Sequence, residues 1–240
     1  MHLKDFGFSE LVIGRHALSQ ANHAMALAKK GDETHLDAIR HLHTSEVGLS
    51  EEGVQQGIFK GLWLIEYQMT PFDFYATSKY KRAIETTHYM GLPDARWVQD
   101  ARLNERDWGP MDQISKRERL ERWPTSKENK NKDPFDWIPE AGGESIRDKT
   151  LHAHSLLLEL QKLYPKKRGI IVAHGETSLG LQVCIERMSP ERFNMREKVM
   201  YIQNATMIHY RQDENGTLFR RHINPLRDRV TAWKKIYREF

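Results

Sequence analysis

The stretch Leu11-Val12-Ile13-Gly14-Arg15-His16 is a short apolar run that ends on a cation and an imidazole. Such a run is typical of a buried strand, and a helix-compatible segment, 19–29, follows it directly. In an open α/β sheet, ligands bind just outside the carboxyl ends of the strands. The stretch therefore predicts that Arg15 and His16 lie together at a ligand site.

A second stretch, residues 169–176, repeats this arrangement. Its sequence is Gly-Ile-Ile-Val-Ala-His-Gly-Glu, a short apolar strand that ends on His174, and segment 177–188 again has a helical pattern. If the two strands are parallel neighbours, His174 faces His16 across one pocket. Either histidine alone is more often structural than catalytic, whereas the pair favours a shared catalytic pocket.

The composition is that of an ordinary globular protein. The chain has 240 residues, of which 39% are hydrophobic and 29% are charged, and this length allows a substantial core. No apolar run approaches the length of a membrane span, and the first residues lack the basic-then-apolar layout of a signal. The single cysteine, Cys184, excludes an internal disulfide, and we expect it to be a buried thiol on a helix. We therefore expect a cytoplasmic protein with no membrane partner.

The net charge of +4 is mildly basic, which suits an anionic substrate without requiring one. The richest basic run, 116–122, is interrupted by acids, and this pattern is typical of a solvated helix face. A nucleic-acid site would show a basic stripe with interleaved aromatic residues. We expect no nucleic acid as a partner. The oligomeric state stays open, with a homodimer as one alternative.

Strands alternate with helices along the chain. A long helix begins at Ser50, and its apolar residues recur on one face, namely Val54, Ile58, Leu62, Ile65 and Met69. The other predicted elements are strands 72–77, 96–98, 206–210 and 218–223 and helices 80–90, 115–122 and 145–164. This order predicts an α/β fold, a three-layer α/β/α sandwich around a mostly parallel sheet. We expect one domain, residues 1–240, with an inserted cap at about 108–141.

Segment 30–48 has the pattern of a loop, and it contains His35, His41 and His43. Imidazole suits zinc, but no cysteine or carboxylate stands at a recognisable ligand spacing. A metal site is therefore the weaker interpretation of these histidines.

Five charged or imidazole side chains stand at predicted strand ends or in the loops that follow them. They are Arg15, His16, Arg82, Glu105 and His174. Arg82 falls in the first turn of a predicted helix, where free backbone N–H groups bind anions. Alone, such an arginine more often forms a surface salt bridge, whereas the group together predicts an anion site.

The motifs around these residues resemble those of the histidine phosphatase superfamily, which has the phosphoglycerate mutase-like fold. The family opens with Arg-His-Gly, a hydroxyl residue and an Asn, and this chain has residues 15–17, Ser19 and Asn22 at that spacing. Further similar segments follow in the family's order, namely 49–56, 78–86, 103–109, 142–145 and 174–175. The resemblance covers residues 11 to about 180.

One position departs from the family pattern. Ala17 replaces the glycine that the family has beside its histidine. A Cβ at a strained backbone position costs about 1–3 kcal/mol. The substitution therefore leaves the exact form of the phosphate cradle open, with the charged groups in place.

The resemblance implies a role for each charged residue. His16 would attack phosphorus and become a phosphohistidine, while Arg15 and Arg82 hold the phosphoryl oxygens. His174, expected to be protonated, would donate to the developing charge, and Glu105 would protonate the leaving oxygen and then activate water. The substrate-binding residues implied in this way are Arg15, Ser19, Asn22, Arg82, His174 and Gly175.

These residue types also suit the chemistry on its own terms. A phosphate dianion repels nucleophiles, so catalysis must neutralise its charge and protonate the leaving oxygen. Arginine offers a fork of donors that lysine lacks, and two arginines favour a neutral imidazole by disfavouring a third positive charge. With these cations present, we expect no metal and no cofactor.

Three functions remain open, and we favour a phosphatase that acts on a small phosphorylated metabolite. Segment 103–106 and Lys116 are similar to those of phosphoglycerate mutases. However, Glu176 stands where the mutases have Asn, Gln20-Ala21 stands where they have a tryptophan, and no adjacent Arg pair occurs between 109 and 143. A non-catalytic module that binds a phosphorylated ligand is the third alternative, although all five charged groups are present. Specificity is expected to lie in segment 108–140.

Overall fold

The strands form one mixed sheet in the computed structural model, which describes residues 5–140 and 142–238. The strands are β1 Glu10–Arg15, β2 Phe74–Thr77, β3 Trp97–Gln99, β4 Arg168–Ala173, β5 Met207–Gln212, β6 Leu218–Asn224, β7 Arg229–Val230 and β8 Lys234–Lys235. Their order in the sheet is β3-β2-β4-β1-β5-β6-β7, with β8 paired to β6. The pairs β1–β4, β2–β4 and β2–β3 are parallel, and the pairs that involve β5 to β8 are antiparallel.

The predicted pairing of the two histidine-bearing strands is confirmed. Strands β1 and β4 are parallel neighbours, and Arg15 lies opposite Ala173 in the register. Because the two strands end side by side at one edge of the sheet, His16 and His174, which follow them, lie close together. Both strands are buried along nearly their whole length, which explains why their sequences are continuously apolar rather than alternating.

Helices cover both faces of the sheet. Leu11 and Ile13 pack with Leu156 and Leu181 on one face, while Val12 packs with helix residues on the other. The predicted three-layer α/β fold is therefore confirmed. The helices are α1 Gln20–Ala28, α2 Thr34–Ile39, α3 Glu51–Glu66, α4 Lys81–Met90, α5 Lys116–Arg122, α6 Ser126–Lys132, α7 Ile146–Leu163, α8 Gly175–Glu186 and α9 Pro190–Met200.

The helix boundaries follow the capping signals in the sequence. Ser50 caps α3 by accepting a hydrogen bond from the Gly53 N–H at 3.1 Å. Ser145 and Asp148 form a reciprocal capping box at the start of α7. Gly91 ends α4 in the left-handed conformation, with φ of 54°.

The packing face of α3 is not its apolar stripe. Ile58, Leu62 and Ile65, which identified the helix in the sequence, are 37%, 59% and 40% exposed. The buried face instead carries Gly53, Gly57 and Gly61. A Cβ on Gly61 would overlap the carbonyl of Met90, so glycine lets α3 approach α4 closely.

Several local predictions need correction. Segment 30–48 contains α2 rather than only loop, and α6 and α9 were not predicted. In the part of the chain that the structure describes, no three His, Cys, Asp or Glu side chains are grouped so as to hold a metal ion. The described residues therefore give the metal interpretation of His35, His41 and His43 no support. The cap at about 108–141, which contains α5 and α6, stays a prediction as a domain feature.

Two further expectations concern Cys184 and the membrane. Cys184 is fully buried in the main core cluster, as predicted, and burial raises the pKa of its thiol to about 12. Among the residues with described structure, no helix is both long and apolar enough to cross a bilayer.

Candidate active site

The carboxyl ends of β1 and β4 bring His16 and His174 together. Their ring centroids are 5.0 Å apart, and the ring planes are inclined by 60°. Both side chains are buried. The predicted meeting of the two imidazoles at the strand ends is therefore present, and His16 lines a cavity there.

One hydrogen bond sets the tautomer of His16. Its Nδ1 lies 2.7 Å from the carbonyl oxygen of Ala17. Since a carbonyl can only accept, Nδ1–H is the donor and Nε2 carries the lone pair. Burial holds the pKa of His16 well below its usual value, and the charges of Arg82 and Arg15 lower it further. The neutral imidazole that a nucleophile requires is therefore the stable form.

Ala17 fits the backbone without strain. It is absent from the non-glycine residues of the described chain that adopt a positive φ. Its N–H donates to Thr86 Oγ1 at 3.0 Å, and its methyl group packs with Leu49 and Ala205. The backbone strain considered for an alanine at this position is therefore absent.

Arg15 and Arg82 approach the pocket from different elements. Arg15 ends β1, donates to the carbonyl of Ile202 at 3.1 Å and lies over the ring of Tyr201. Arg82 occupies the first turn of α4, as predicted, donates to the carbonyl of Thr44 at 2.6 Å, and its pKa is lowered by burial. Each guanidinium keeps further N–H donors in a fork that matches a phosphoryl group.

Glu105 has the electrostatics of a proton donor. Its Oε1 accepts hydrogen bonds from the N–H groups of Arg106 and Thr177, at 3.1 and 3.3 Å. Burial raises the pKa of the Glu105 carboxyl, and the nearby charge of Glu176 raises it further, while Arg82 opposes both. Such a carboxyl holds its proton closer to neutral pH than an ordinary glutamate does.

His174 donates through a short chain of hydrogen bonds. Its Nε2 lies 2.8 Å from Ser78 Oγ, whose hydroxyl donates to Asn104 Oδ1 at 3.1 Å. Ser78 therefore accepts from Nε2–H. Nδ1 of His174 is buried and has no hydrogen-bond partner among the described residues, so it is the nitrogen left to take up a proton.

The protein alone does not favour the protonated His174 that we expect during phosphoryl transfer. Burial holds the pKa of His174 well below its usual value, and the charges of Arg82, His16 and Arg15 lower it further. The protein alone therefore favours the neutral imidazole. A phosphoryl dianion between the arginines would act in the opposite direction, since a negative charge stabilises imidazolium.

Ser19 and Asn22 line the same cavity but already have partners. Ser19 Oγ caps α1 by accepting from the Asn22 N–H at 3.1 Å. Asn22 Oδ1 accepts from Ser19 Oγ and from Asn204 Nδ2, at 3.1 and 2.9 Å. Gly175 begins α8, and a Cβ there would overlap the ring of Tyr201. A substrate-binding role for these residues stays a prediction.

The cavity extends from His16 toward cationic and aromatic residues. It has a volume of about 450 Å³. Arg106 and Trp108 line it, and the guanidinium of Arg106 lies against the rings of Trp108 and Trp137, at 4.5 and 5.1 Å from their centroids. Glu176 pairs with Arg106 at 3.3 Å and accepts from the indole of Trp108 at 2.7 Å. Sequence reasoning missed this cluster, because aromatic stacking across segments leaves no local pattern.

A second cavity adjoins the first at Glu105. Its volume is about 540 Å³, and it shares Glu105, Thr44, Asp112 and Gln113 with the first cavity. Glu105 therefore stands where the two spaces meet. An alcohol bonded to a phosphoryl group beside His16 has room to extend past this carboxyl.

With this geometry in place, comparison with known sequences gives the class of the protein. The sequence model of the histidine phosphatase superfamily (branch 1) matches residues 11–225, which is most of the chain. The chain belongs to this superfamily.

Individual relatives and solved structures agree with this assignment. The chain is 32% identical over 185 residues to a 2,3-bisphosphoglycerate-dependent phosphoglycerate mutase of Rhodopseudomonas palustris, with 70% of the chain and 86% of the relative covered. It resembles the structure of a mycobacterial glucosyl-3-phosphoglycerate phosphatase with TM-score 0.67 at 20% identity, covering 84% and 92% of the two chains. For the alpha-ribazole phosphatase of Shigella flexneri the TM-score is 0.64 at 17% identity, with 85% and 91% covered. The structural similarities show a common fold.

Proposed function

We propose that this protein hydrolyses the phosphate monoester of a small metabolite through a phosphohistidine at His16, without a metal ion. The observation that carries the proposal is the state of His16: its Nδ1–H is held by the Ala17 carbonyl, and its pKa is lowered by burial and by two arginines. A buried neutral imidazole beside two guanidinium groups is suited to attack a phosphoryl dianion.

The first half-reaction transfers the phosphoryl group to the protein. The Nε2 lone pair of His16 forms the N–P bond while the bond between phosphorus and the leaving oxygen breaks. Glu105, which holds its proton because burial and Glu176 raise its pKa, gives that proton to the leaving oxygen. Arg15 and Arg82 neutralise the phosphoryl oxygens throughout, and the products are the alcohol, phosphohistidine and a Glu105 carboxylate.

The second half-reaction returns the protein to its starting state. The Glu105 carboxylate takes one proton from a water molecule, and the water oxygen attacks phosphorus. The N–P bond breaks, its electron pair returns to Nε2 of His16, and inorganic phosphate leaves. In both half-reactions Arg15 and Arg82 supply the positive charge that neutralises the phosphoryl oxygens.

The alternative is a phosphoglycerate mutase, and the identity of up to 32% to proteins with that name favours it. Two features favour hydrolysis. The mutases carry Asn where Glu176 stands, and here Glu176 is bound to Trp108 and Arg106. The adjacent Arg pair that mutases use for the substrate carboxylate is absent from residues 109–143.

One experiment separates the candidates. The protein is incubated with p-nitrophenyl phosphate, then with sugar phosphates and with 3-phosphoglycerate, and inorganic phosphate and 2-phosphoglycerate are both measured. Release of phosphate from several esters supports hydrolysis. Exchange of the phosphoglycerate isomers with little phosphate release supports the mutase, and no turnover of any ester supports the non-catalytic binding module.

A further inference from the structure

Lys60 is a lysine that reaches the active site from behind. It lies on the buried face of α3, between Gly57 and Leu64, and its side chain is fully buried. Lysine is almost never fully buried unless it is paired. Among the described residues no carboxylate lies within ion-pair distance of its Nζ, so a different interaction must account for its position.

The partner of Lys60 is the backbone that carries the catalytic pair. Its Nζ donates to the carbonyl oxygen of Arg15 at 3.1 Å. Because the Arg15 N–H donates to the carbonyl of Thr206, an antiparallel ladder would have the Thr206 N–H return a bond to the Arg15 carbonyl. That N–H donates to Gln203 instead, at 3.2 Å. Lys60 thus supplies the hydrogen bond that the sheet does not.

Gly14 provides the space for this amine. A Cβ built on Gly14 would lie 2.5 Å from Nζ of Lys60 and 3.3 Å from its Cε. Gly14 does not adopt a positive φ, so its backbone does not itself require glycine. The close approach of the amine is the reason that the strand has no side chain here.

The arrangement costs folding free energy. Burial lowers the pKa of Lys60 to about 7, and the amine is left with one acceptor for its donors. Replacing such a buried group by an apolar one is often neutral or stabilising. The charged and titratable groups that act together with Lys60 on His16 are Arg82 and Arg15. The position of Lys60 is therefore better explained by its proximity to the reacting groups than by a contribution to folding stability.

We propose that Lys60 is a positioning residue, which holds the end of β1 through the Arg15 carbonyl so that Arg15 and His16 enter the pocket in register. The inference rests on the proposed nucleophilic role of His16. It assigns to α3 a function in the active site although α3 contributes no side chain to the substrate cavity.

Two variants disturb this hydrogen bond in different ways. Lys60→Met keeps an unbranched apolar stem and removes the amine. Gly14→Ala keeps the amine but introduces a methyl group where the amine now lies. Because Nζ is the end of a flexible side chain, it can move aside, and its hydrogen bond to the Arg15 carbonyl is then lost. The double variant has room for the new methyl group, because methionine is one atom shorter than lysine.

The measurements are the rate of the phosphoenzyme burst with p-nitrophenyl phosphate and the inhibition constant of sulfate, which reports anion binding. We expect each single variant to lose about ten- to a hundredfold in burst rate and to weaken sulfate binding by a smaller factor, because Arg15 shifts with His16 while Arg82 stays in place. The double variant should resemble Lys60→Met alone, because both changes break the same bond. Leu64→Met, a volume-conserving change one turn along the same face, is the matched control and should retain the wild-type rate.

A second readout does not depend on turnover. In protein labelled with ¹⁵N-histidine, the His16 ring should show one Nδ1–H tautomer in the wild type and shifted or broadened signals in both single variants. Burst rates within about twofold of wild type would overturn the proposal, as would additive losses in the double variant or losses that match the unfolded fraction. If the wild type forms no phosphoenzyme, the proposed function fails, and unchanged His16 signals would then reject the Lys60 proposal separately.

Discussion

Ser78 Oγ lies 2.8 Å from Nε2 of His174, and this contact determines which nitrogen of the imidazole carries the proton. Because Ser78 donates its own hydrogen to Asn104, it can only accept from His174. The orientation of His174 is thus set by a loop that follows β2 rather than by its own strand.

This contact makes a mutational prediction. Ser78→Ala should lower kcat by about three- to tenfold with little change in KM, since a lost neutral hydrogen bond is worth about 0.5–1.5 kcal/mol. Steady-state kinetics on one alkyl phosphate would test it. The control is Thr87→Ala, which removes a hydroxyl bound to the Ile84 carbonyl in α4 and should behave as wild type. A larger effect from the control would assign the loss to general destabilisation.

His16 is expected to carry the phosphoryl group. His16→Ala should lose activity by on the order of 10³-fold or more, as for other nucleophile deletions. Protein quenched in base after incubation with a labelled ester should keep the label, and protein quenched in acid should lose it, since phosphohistidine is acid-labile. His88→Ala, on the exposed side of α4, is the control. Near-wild-type turnover by His16→Ala would remove His16 from the mechanism.

The contribution of Glu105 should scale with the need of the leaving group for a proton. General acid catalysis typically contributes about 10²–10⁴-fold, so Glu105→Gln should lose most of that factor on a sugar phosphate. The loss in the burst phase should be much smaller on p-nitrophenyl phosphate, whose phenolate leaves without a proton. Equal losses on both substrates would mean that Glu105 only shapes the pocket, and Glu176 would become the next candidate for the acid.

The pH profile should report the coupling between Glu105 and Glu176. The negative charge of Glu176 raises the pKa of Glu105, so Glu176→Gln should lower that pKa. Since the acid must be protonated to act, the alkaline limb of kcat/KM on an alkyl phosphate should move to lower pH. The amide can still accept from the Trp108 indole, which preserves that contact. An unshifted limb would show that another group controls it.

Chelators should leave activity unchanged. The motivation is that the arginines supply the charge that a metal would otherwise provide. The check is the turnover of p-nitrophenyl phosphate before and after dialysis against EDTA. Lost activity that zinc or magnesium restores would contradict the metal-free mechanism and would return attention to His35, His41 and His43.

The sequence was sufficient for the frame of the fold and for the meeting of the two histidines. Both depend on local patterns. A short apolar run that ends on a histidine indicates a buried strand and places the histidine at its carboxyl end. The registers of β1 and β4 then place His16 and His174 together without further information.

Other features depend on distant contacts and could not be predicted. The protonation of His174 follows from burial and from the sum of several charges, and these depend on the folded arrangement of four segments. In the sequence, Lys60 cannot be distinguished from a solvent-exposed lysine of a helix. Only the folded structure shows its hydrogen bond to the Arg15 carbonyl. The contact of Arg106 with both Trp108 and Trp137 joins segments about thirty residues apart.

The glycine face of α3 has a consequence for sequence variation. At Gly53 and Gly61 even one added methyl group meets backbone atoms of a neighbouring segment, whereas Ile58 and Leu62 project into solvent. Side-chain bulk, rather than polarity, should therefore set which replacements these four positions accept. In a survey of all single substitutions, Gly53 and Gly61 should be highly constrained and Ile58 and Leu62 permissive, the reverse of the order that hydropathy alone would suggest.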